Sequence, residues 1–181
     1  MIVSIGRKLT GQEPTTGSVR LASVAVILRD ADDPKTLMIR RAERREDPWS
    51  GQVAFPGGKK QEEDKTIRDV AIRETREEVG IDLASSARFL GYFGMFRTHT
   101  GSMDVIPSVF LLESDVKPRL NEEATSCRWI AYSELVNPVS RSSHSIRRDG
   151  TTLEMPAFAV SGYLIWGLTY RIVSTLFLEG S

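Results

Sequence analysis

Residues 73–81, RETREEVGI, place three glutamates and two arginines within nine positions. Read as a helix, the stretch sets Glu74, Glu77 and Glu78 three and four residues apart, where like charges repel by roughly 0.2–0.5 kcal/mol per pair. A helix keeps such a cluster when another group compensates the charge. The rest of the sequence therefore has to supply a partner for these carboxylates.

The three glutamates fall on the apolar side of the predicted helix. A helix advances about 100° per residue, so with Ile67 at zero Glu74, Glu77 and Glu78 lie near 340°, 280° and 20°. Arg73 and Arg76 fall on the opposite side, and we expect their side chains to point away from the glutamates. A solvated face is the simpler alternative, but carboxylates on a buried face are costly unless compensated. Clustered oxygen ligands suit Mg²⁺ or Mn²⁺, so the pattern predicts a divalent-cation site.

A glycine pair precedes this helix, in FPGG at residues 55–58. Gly57 and Gly58 permit positive φ and close approach of a ligand, so we assign them to substrate binding. Asp64 is the expected cap of the helix, and Gly80 is a favoured residue just past its end. Neither a dinucleotide-binding G-x-G-x-x-G nor a phosphate-binding P-loop occurs in the sequence.

The remaining elements alternate strands with helices. The order predicts an α/β fold in which a mixed sheet lies between helices, rather than a repeating parallel βαβ unit. Residues 1–18 are predicted to form a flexible N-terminal lead-in, and 19–181 a single domain. Strands are predicted at 19–30, 36–40, 52–55, 87–97, 104–113 and 127–132, a loop at 41–51, a brief helix at 133–136, a hairpin turn at Asp149–Gly150 and a final helix at 160–178.

Composition excludes several classes of protein. The 181 residues carry 24 basic and 24 acidic side chains, so no net charge favours nucleic acid or a membrane surface. Cys127 is the only cysteine, which precludes an intramolecular disulfide and a cysteine-rich zinc site. The first 17 residues lack the apolar core of a signal peptide, and residues 163–178 are too short to span a membrane. We expect a cytoplasmic protein that binds neither nucleic acid nor membrane.

The glutamate stretch and the upstream glycines resemble the Nudix box, G-x5-E-x7-R-E-U-x-E-E-x-G-U, where U is aliphatic. Gly58 matches the first glycine, and residues 73, 74, 77, 78, 80 and 81 match the second half. Two positions depart from the pattern. Asp64 replaces the first-half glutamate and is separated from Arg73 by eight residues instead of seven, and Thr75 replaces an aliphatic residue. In the family that glutamate mainly supports structure, and the metal-binding half is intact.

Two further segments look like the branch of the family that contains coenzyme A pyrophosphatases: GQVAFPGGK at 51–59 and YLIWGLTYRIVSTL at 163–176. That branch carries the signature L-L-T-x-R-[SA]-x3-R-x3-G-x3-F-P-G-G. Leu37, Arg41, Ala42, Gly51 and residues 55–58 match it. The match is incomplete, because residues 38 and 39 differ and the spacings on both sides of residue 45 depart from the signature.

The resemblance implies a Nudix-type α/β/α sandwich that hydrolyses a nucleoside diphosphate linked to another moiety, with coenzyme A as the leading substrate. Glu74, Glu77 and Glu78 would hold Mg²⁺, or Mn²⁺ in its place. We place Glu74, Glu78 and Glu123 in the catalytic set, with Glu74 or Glu123 as the base and Glu122 as the alternative match for Glu123. Substrate contacts are expected from Arg41, Arg45, Gly57, Gly58 and His99, with Trp49 as a possible stacking partner for a base.

Several alternatives stay open. ADP-ribose, other NDP-sugars, dinucleotides and nucleoside triphosphates compete with coenzyme A. A Nudix-fold module that binds a nucleotide without cleaving it is the alternative from another class, and the three intact glutamates favour the enzyme. The family also often forms dimers, so Tyr163, Trp166 and Tyr170 belong either to the core or to a homodimer interface.

Overall fold

The computed structural model describes residues 1–17, 20–45, 49–99, 101–148 and 150–178. Its strands form one eight-stranded sheet and one three-stranded sheet. In chain order the elements are α1 (Ile2–Gly6), β1 (Leu21–Arg29), β2 (Lys35–Arg41), β3 (Val53–Ala54), β4 (Gly57–Lys59), α2 (Ile67–Val79), α3 (Leu83–Ser86), β5 (Ala87–Tyr92), β6 (Phe96–Arg97), β7 (Asp104–Leu112), β8 (Ala124–Ala131), α4 (Tyr132–Val136), a 3₁₀ turn (Pro138–Ser140), β9 (Arg141–Arg148), β10 (Thr151–Val160), β11 (Tyr163–Trp166), α5 (Gly167–Val173) and a π-helical turn (Ser174–Leu178).

The larger sheet is mixed, as the sequence predicts. Strand β1 runs parallel to β7 and antiparallel to β2 and β4. Side chains alternate across a strand, and here both faces of β1 are covered. Ala25 and Ile27 pack into the cluster on the α2 side, while Val26 and Leu28 pack into the cluster formed with the C-terminal elements. The predicted α/β fold, with a sheet between helical layers, is confirmed.

Helix α2 has a stronger N-terminal cap than the one predicted. Thr66, not Asp64, is the cap: its side chain accepts a hydrogen bond from the Asp69 N–H at 3.2 Å, and the Asp69 carboxylate accepts from the Thr66 N–H at 2.9 Å. This reciprocal pair satisfies two N–H groups of the first turn. The helix ends as predicted at Gly80, whose φ of 67° is the left-handed conformation that glycine adopts readily.

The predicted helix over residues 160–178 is wrong for its first seven residues. Strand β10 continues to Val160, turns through Ser161 and Gly162, and pairs with β11. Tyr163 and Ile165 are buried while Leu164 and Trp166 are partly exposed, which is the alternation of a strand. Helix α5 then spans only 167–173.

Residues 1–17 do not form a loose lead-in. Helix α1 buries Ile5, which is 1% exposed, in the core. The Lys8 ammonium donates to the carbonyls of Thr175 and Leu176, each at 3.0 Å, and Thr10 forms a β-bridge with Tyr92. The segment therefore packs along the domain. The assignment of 19–181 to a single domain stays a prediction.

The other local predictions meet mixed outcomes. The described part of 41–51 is a loop after Arg41, and the helix predicted at 133–136 is α4. The strand predicted at 87–97 is split into β5 and β6. Strands β9 and β10 form the predicted hairpin and are longer than expected, although Asp149 itself lies outside the described residues. No helix in the described ranges is long and apolar enough to cross a membrane.

Candidate active site

Two of the three glutamates on α2 point into the protein. Glu78 is 1% exposed and Glu74 is 9% exposed, whereas the Glu77 side chain is 53% exposed. The projection from the sequence is therefore confirmed for Glu74 and Glu78. It is wrong for Glu77, which lies at the edge of the apolar face and reaches solvent.

Glu78 is held by two elements that precede α2. Its Oε2 accepts a hydrogen bond from the Gly57 N–H at 2.9 Å, and its Oε1 lies 3.5 Å from Nη1 of Arg41. Burial raises the pKa of Glu78 to about 8, although the Gly57 hydrogen bond and Arg41 act in the opposite direction. The negative charge of Glu78 is therefore under-compensated in the protein alone.

Arg73 ties the acidic cluster together. Its Nε and Nη2 donate to the two Asp64 oxygens at 3.1 and 3.0 Å, and its Nη1 lies 2.8 Å from Glu74 Oε1 and 3.3 Å from Glu77 Oε2. The expectation that Arg73 points away is wrong, because a long side chain can turn back across its own helix. Arg76 does point away and pairs with Asp82 at 2.8 Å.

Glu74 and Asp64 respond differently to this arginine. Burial raises the pKa of Glu74 in spite of Arg73 and with help from the nearby negative charges of Glu77 and Glu123. Burial also acts to raise the pKa of Asp64, but the hydrogen bonds from Arg73 and from the Gln61 N–H outweigh it, and the pKa is lowered. Asp64 therefore serves as a charged anchor for Arg73, in the supporting role that the resemblance implies.

Gly57 and Gly58 are needed for space and not for a special backbone conformation. Neither is among the residues with positive φ. A Cβ on Gly58 would lie 2.3 Å from Glu74 Oε1, and a Cβ on Gly57 would lie 2.3 Å from the Ser23 carbonyl oxygen. The glycines therefore allow a carboxylate and strand β1 to approach β4, without the positive φ that the sequence suggested, and their contact with substrate stays a prediction. Both still border the cleft described next.

These groups open onto one cleft of about 830 Å³. Glu122, 91% exposed, does not border it, whereas Glu123 does, with a side chain that is 41% exposed and 3.7 Å from Arg44. His99 is exposed and is not among the lining residues, so the fold does not bring it to this cleft. The predicted residues that the structure brings together here are Arg41, Arg45, Trp49, Gly57, Gly58, Glu74, Glu77, Glu78 and Glu123.

The sequence did not predict a second part of the cleft lining, which we call the α5 wall. It is largely apolar, and α5 contributes Leu168 and Ile172 to it. Met103 and Trp49 belong to the same apolar surface. The wall escaped notice because no local motif marks it, and because the aromatic residues near α5 were read as one long helix.

The donor set suits a hard divalent cation. Carboxylate oxygens are the ligands that Mg²⁺ and Mn²⁺ prefer, and the raised pKa values of Glu74 and Glu78 indicate charge that a cation would compensate. In the part of the chain that the structure describes, no three His, Cys, Asp or Glu side chains already stand in a metal-binding arrangement. Glu74 and Glu77 instead share Arg73, so a cation would replace these contacts.

Comparison with known proteins identifies the same region. The family model of the NUDIX domain matches residues 19–149. The Nudix hydrolase NudL of Yersinia pestis (strain Pestoides F) is 30% identical over 169 residues, which cover 93% of this chain and 83% of NudL. An Ap4A hydrolase of C. elegans, solved as a binary complex, has a TM-score of 0.52 at 19% identity and covers 62% of this chain and 80% of its own. The NUDIX domain of Shewanella oneidensis NrtR, complexed with ADP ribose, has a TM-score of 0.50 at 16% identity and covers 67% of this chain and 78% of its own. These structures share the fold of this chain.

Proposed function

The chain belongs to the Nudix hydrolase family, and on that premise we propose that it hydrolyses the diphosphate bond of coenzyme A or one of its derivatives with Mg²⁺. Members of the family are pyrophosphohydrolases that act on nucleoside diphosphate derivatives and generally use divalent metal ions. One observation carries the proposal. Buried Glu74 and Glu78 face the same cleft as an extended apolar wall.

Glu74, Glu77 and Glu78 form the side of the cleft that we call the α2 wall, and this wall supplies the groups for hydrolysis. Glu74, Glu77 and Glu78 would hold the cation, which when bound neutralises the diphosphate and stabilises charge on the leaving phosphate. The Gly57 N–H at 2.9 Å orients Glu78, and the three contacts of Arg73 keep Glu74 and Glu77 beside each other. These residues can therefore present their oxygens from one helix to one site.

Glu123 is the general base that we favour over Glu74. Attack by water at phosphorus needs a carboxylate within hydrogen-bond reach of that water. Glu74 is buried and 2.8 Å from Arg73, whereas the partly exposed Glu123 borders the cleft from the β8 side, 3.7 Å from Arg44. Glu123 can thus approach a water in the cleft, while Glu74 is occupied either by the Arg73 guanidinium or, once the cation binds, by the cation.

The two walls together support a coenzyme A-like substrate. Coenzyme A joins a nucleotide to a long uncharged arm through a diphosphate. The diphosphate would lie along the α2 wall with its cation, and the arm would lie along Leu168, Ile172 and Met103. The incomplete match to the coenzyme A signature supports the same assignment. Pairing of two copies stays a prediction.

ADP-ribose is the second candidate, because the NUDIX domain of NrtR, which shares the fold, was solved with ADP ribose. Its sugar offers no long apolar group for the α5 wall. A binding module without hydrolysis is disfavoured by the intact set of three glutamates.

Product release from a panel of diphosphates, with Mg²⁺ and with Mn²⁺, tests the proposal. Coenzyme A, ADP-ribose, an NDP-sugar, a dinucleotide and a nucleoside triphosphate are compared in the wild type and in Glu78→Gln. We expect coenzyme A to be cleaved with the highest kcat/KM, and the variant to lose most of that activity. Cleavage of ADP-ribose with coenzyme A inert would overturn the substrate assignment, and no turnover of any diphosphate would overturn the enzymatic function.

A further inference from the structure

A second, smaller cavity of about 370 Å³ adjoins the cleft. It is lined by Arg20, Leu21, Lys59, Lys60, Gln61 and Glu62, and we call it the basic groove. Lys59 and Gln61 also border the cleft, so the two spaces share a wall. The basic groove therefore lies next to the cleft, within reach of a substituent on a ligand that fills the cleft.

The basic groove carries an excess of positive charge. Three of its six residues are basic, and Glu62 is the only acidic one. The Lys60 ammonium donates to the Asp64 carbonyl, which places it on a fixed segment of backbone. Such a concentration of ammonium and guanidinium groups favours an anion, and phosphate accepts hydrogen bonds from both.

The backbone holds these residues in a defined arrangement. Strand β4 pairs antiparallel with β1, with Ala22 opposite Lys59, and the Lys60 N–H extends this pairing with a hydrogen bond of 2.8 Å to the Leu21 carbonyl. Continuing the register by one more residue sets Arg20 opposite Gln61. The cations therefore come from two neighbouring chain segments, with Lys59 at the end of β4, Lys60 directly after it and Arg20 directly before β1.

The basic groove lies close to the glutamates of the α2 wall along the chain. Gly58 packs against the Glu74 carboxylate, and Lys60 is two residues further along the same extended segment. At about 3.3 Å per residue, that separation is about 7 Å along the backbone. A phosphate on the ribose of a nucleotide is attached at a comparable distance from the 5′-diphosphate of the same nucleotide.

We propose that the basic groove is a subsite for a second phosphate carried on the ribose of the substrate. The inference rests on the proposed hydrolysis of a nucleoside diphosphate derivative and adds a chemical selection to it. Arg20 and Lys60 bind the ribose phosphate, so substrates that carry it are preferred over otherwise identical ones that lack it. The preference is set at the ribose and is independent of the group on the other side of the diphosphate.

Two substrates that differ by a single phosphate test this subsite. In the wild type, we expect kcat/KM for coenzyme A to exceed that for 3′-dephospho-coenzyme A by about 10- to 100-fold, the range for hydrogen bonds to a charged group. Arg20→Ala and Lys60→Ala should each reduce this ratio several-fold. Lys65→Ala removes an exposed lysine from the same loop that borders neither cavity, and it should leave the ratio unchanged.

Binding without turnover separates the subsite from the proposed function. Calorimetry on Glu78→Gln should show adenosine 3′,5′-bisphosphate binding at least about 10-fold tighter than adenosine 5′-monophosphate, with the difference reduced in Glu78→Gln/Arg20→Ala. Equal affinities, or equal kcat/KM for the two coenzymes in the wild type, would overturn the subsite. Inorganic phosphate binding as tightly as the bisphosphate would also overturn it, since the groove would then be a general anion site. If neither coenzyme is cleaved but the bisphosphate preference is present, the proposed function fails and the subsite stands.

Discussion

The two walls of the cleft are built on different principles. On the α2 wall, each glutamate has charged or hydrogen-bonding partners at defined distances, such as Gly57 on Glu78 and Arg73 on Glu74. The α5 wall presents apolar side chains, Leu168 and Ile172, whose contacts are not directional. The α2 wall also lies within the residues that the family model matches, while α5 lies beyond them. We therefore propose that the α2 wall carries out the chemistry and that the α5 wall selects the substrate.

Removing the charge of Glu78 should have the largest effect. We expect Glu78→Gln to lower kcat by on the order of 100-fold or more, because the change removes the charge of one of the three carboxylates proposed to hold the cation. The amide keeps the size of the side chain, so circular dichroism should show an unchanged fold. A folded variant with near-wild-type kcat would remove the chemistry from the α2 wall.

Adjacent glycines should separate chemistry from stability. In Gly58→Ala the new Cβ meets the Glu74 carboxylate, so we expect activity to fall about 10- to 100-fold with little loss of stability. In Gly57→Ala the new Cβ would lie 2.3 Å from the Ser23 carbonyl oxygen and 2.7 Å from the Val24 Cα. Because this contact is with backbone, the free energy of unfolding should fall by about 1–3 kcal/mol or more. Urea denaturation and steady-state kinetics on both variants measure the two effects. Equal losses of stability in the two would contradict the separate roles.

Glu78 on the α2 wall should also make the metal-free protein less stable as the pH rises. The pKa of Glu78 is raised from 4.5 to about 8, so the folded state favours the neutral carboxyl. The stability that this neutral form provides is complete below about pH 4.5 and is lost as the pH rises through about 8. In a chelator, the free energy of unfolding of the wild type should therefore decline over this range by about a few kcal/mol. Glu78→Gln should show a flatter profile, and parallel profiles would contradict the assignment.

The sequence revealed the α2 wall because its determinants are local. Apolar spacing and Gly80 delimit the helix, and the 100° advance per residue places Glu74 and Glu78 inward. Side-chain reach is not local, so Arg73 was misplaced: its guanidinium turns back to Asp64, nine residues earlier. The reason for Gly58 was missed for the same cause, since the contact with Glu74 exists only in the folded chain.

The sequence could not reveal the α5 wall for a related reason. Tyr163 and Trp166 stand at helical spacing, yet both are in β11, because β10 offers a strand with which they pair. A short apolar segment is compatible with either period, and its partner decides which one forms. The lining positions of Leu168 and Ile172 depend on where that hairpin places α5.

Shortening Leu168 should affect selection rather than chemistry. Leu168→Ala removes apolar surface from the α5 wall, and we expect KM for coenzyme A to rise about 10-fold with little change in kcat. Leu164→Ala is the matched control, because Leu164 is a partly buried leucine of β11 that does not line the cleft. Initial rates over a range of substrate concentrations measure both constants. A fall in kcat with KM unchanged would mean that the α5 wall takes part in catalysis.

The N-terminal segment contacts the elements that carry both walls, and removing one of its side-chain contacts should have the smallest effect. Lys8 binds carbonyls in the turn after α5, and Glu13 Oε2 accepts hydrogen bonds from the Ile67 N–H at 3.1 Å and the Tyr92 hydroxyl at 3.3 Å. Glu13 thus satisfies a first-turn N–H of α2, a contact comparable to an N-cap. Glu13→Ala should lower the free energy of unfolding by about 1 kcal/mol, and Glu13→Gln by less because the amide oxygen can still accept. Urea denaturation of the two variants measures the difference. If Glu13→Ala unfolds at the wild-type urea concentration, the walls are positioned by the sheet alone and the N-terminal segment adds nothing to their alignment.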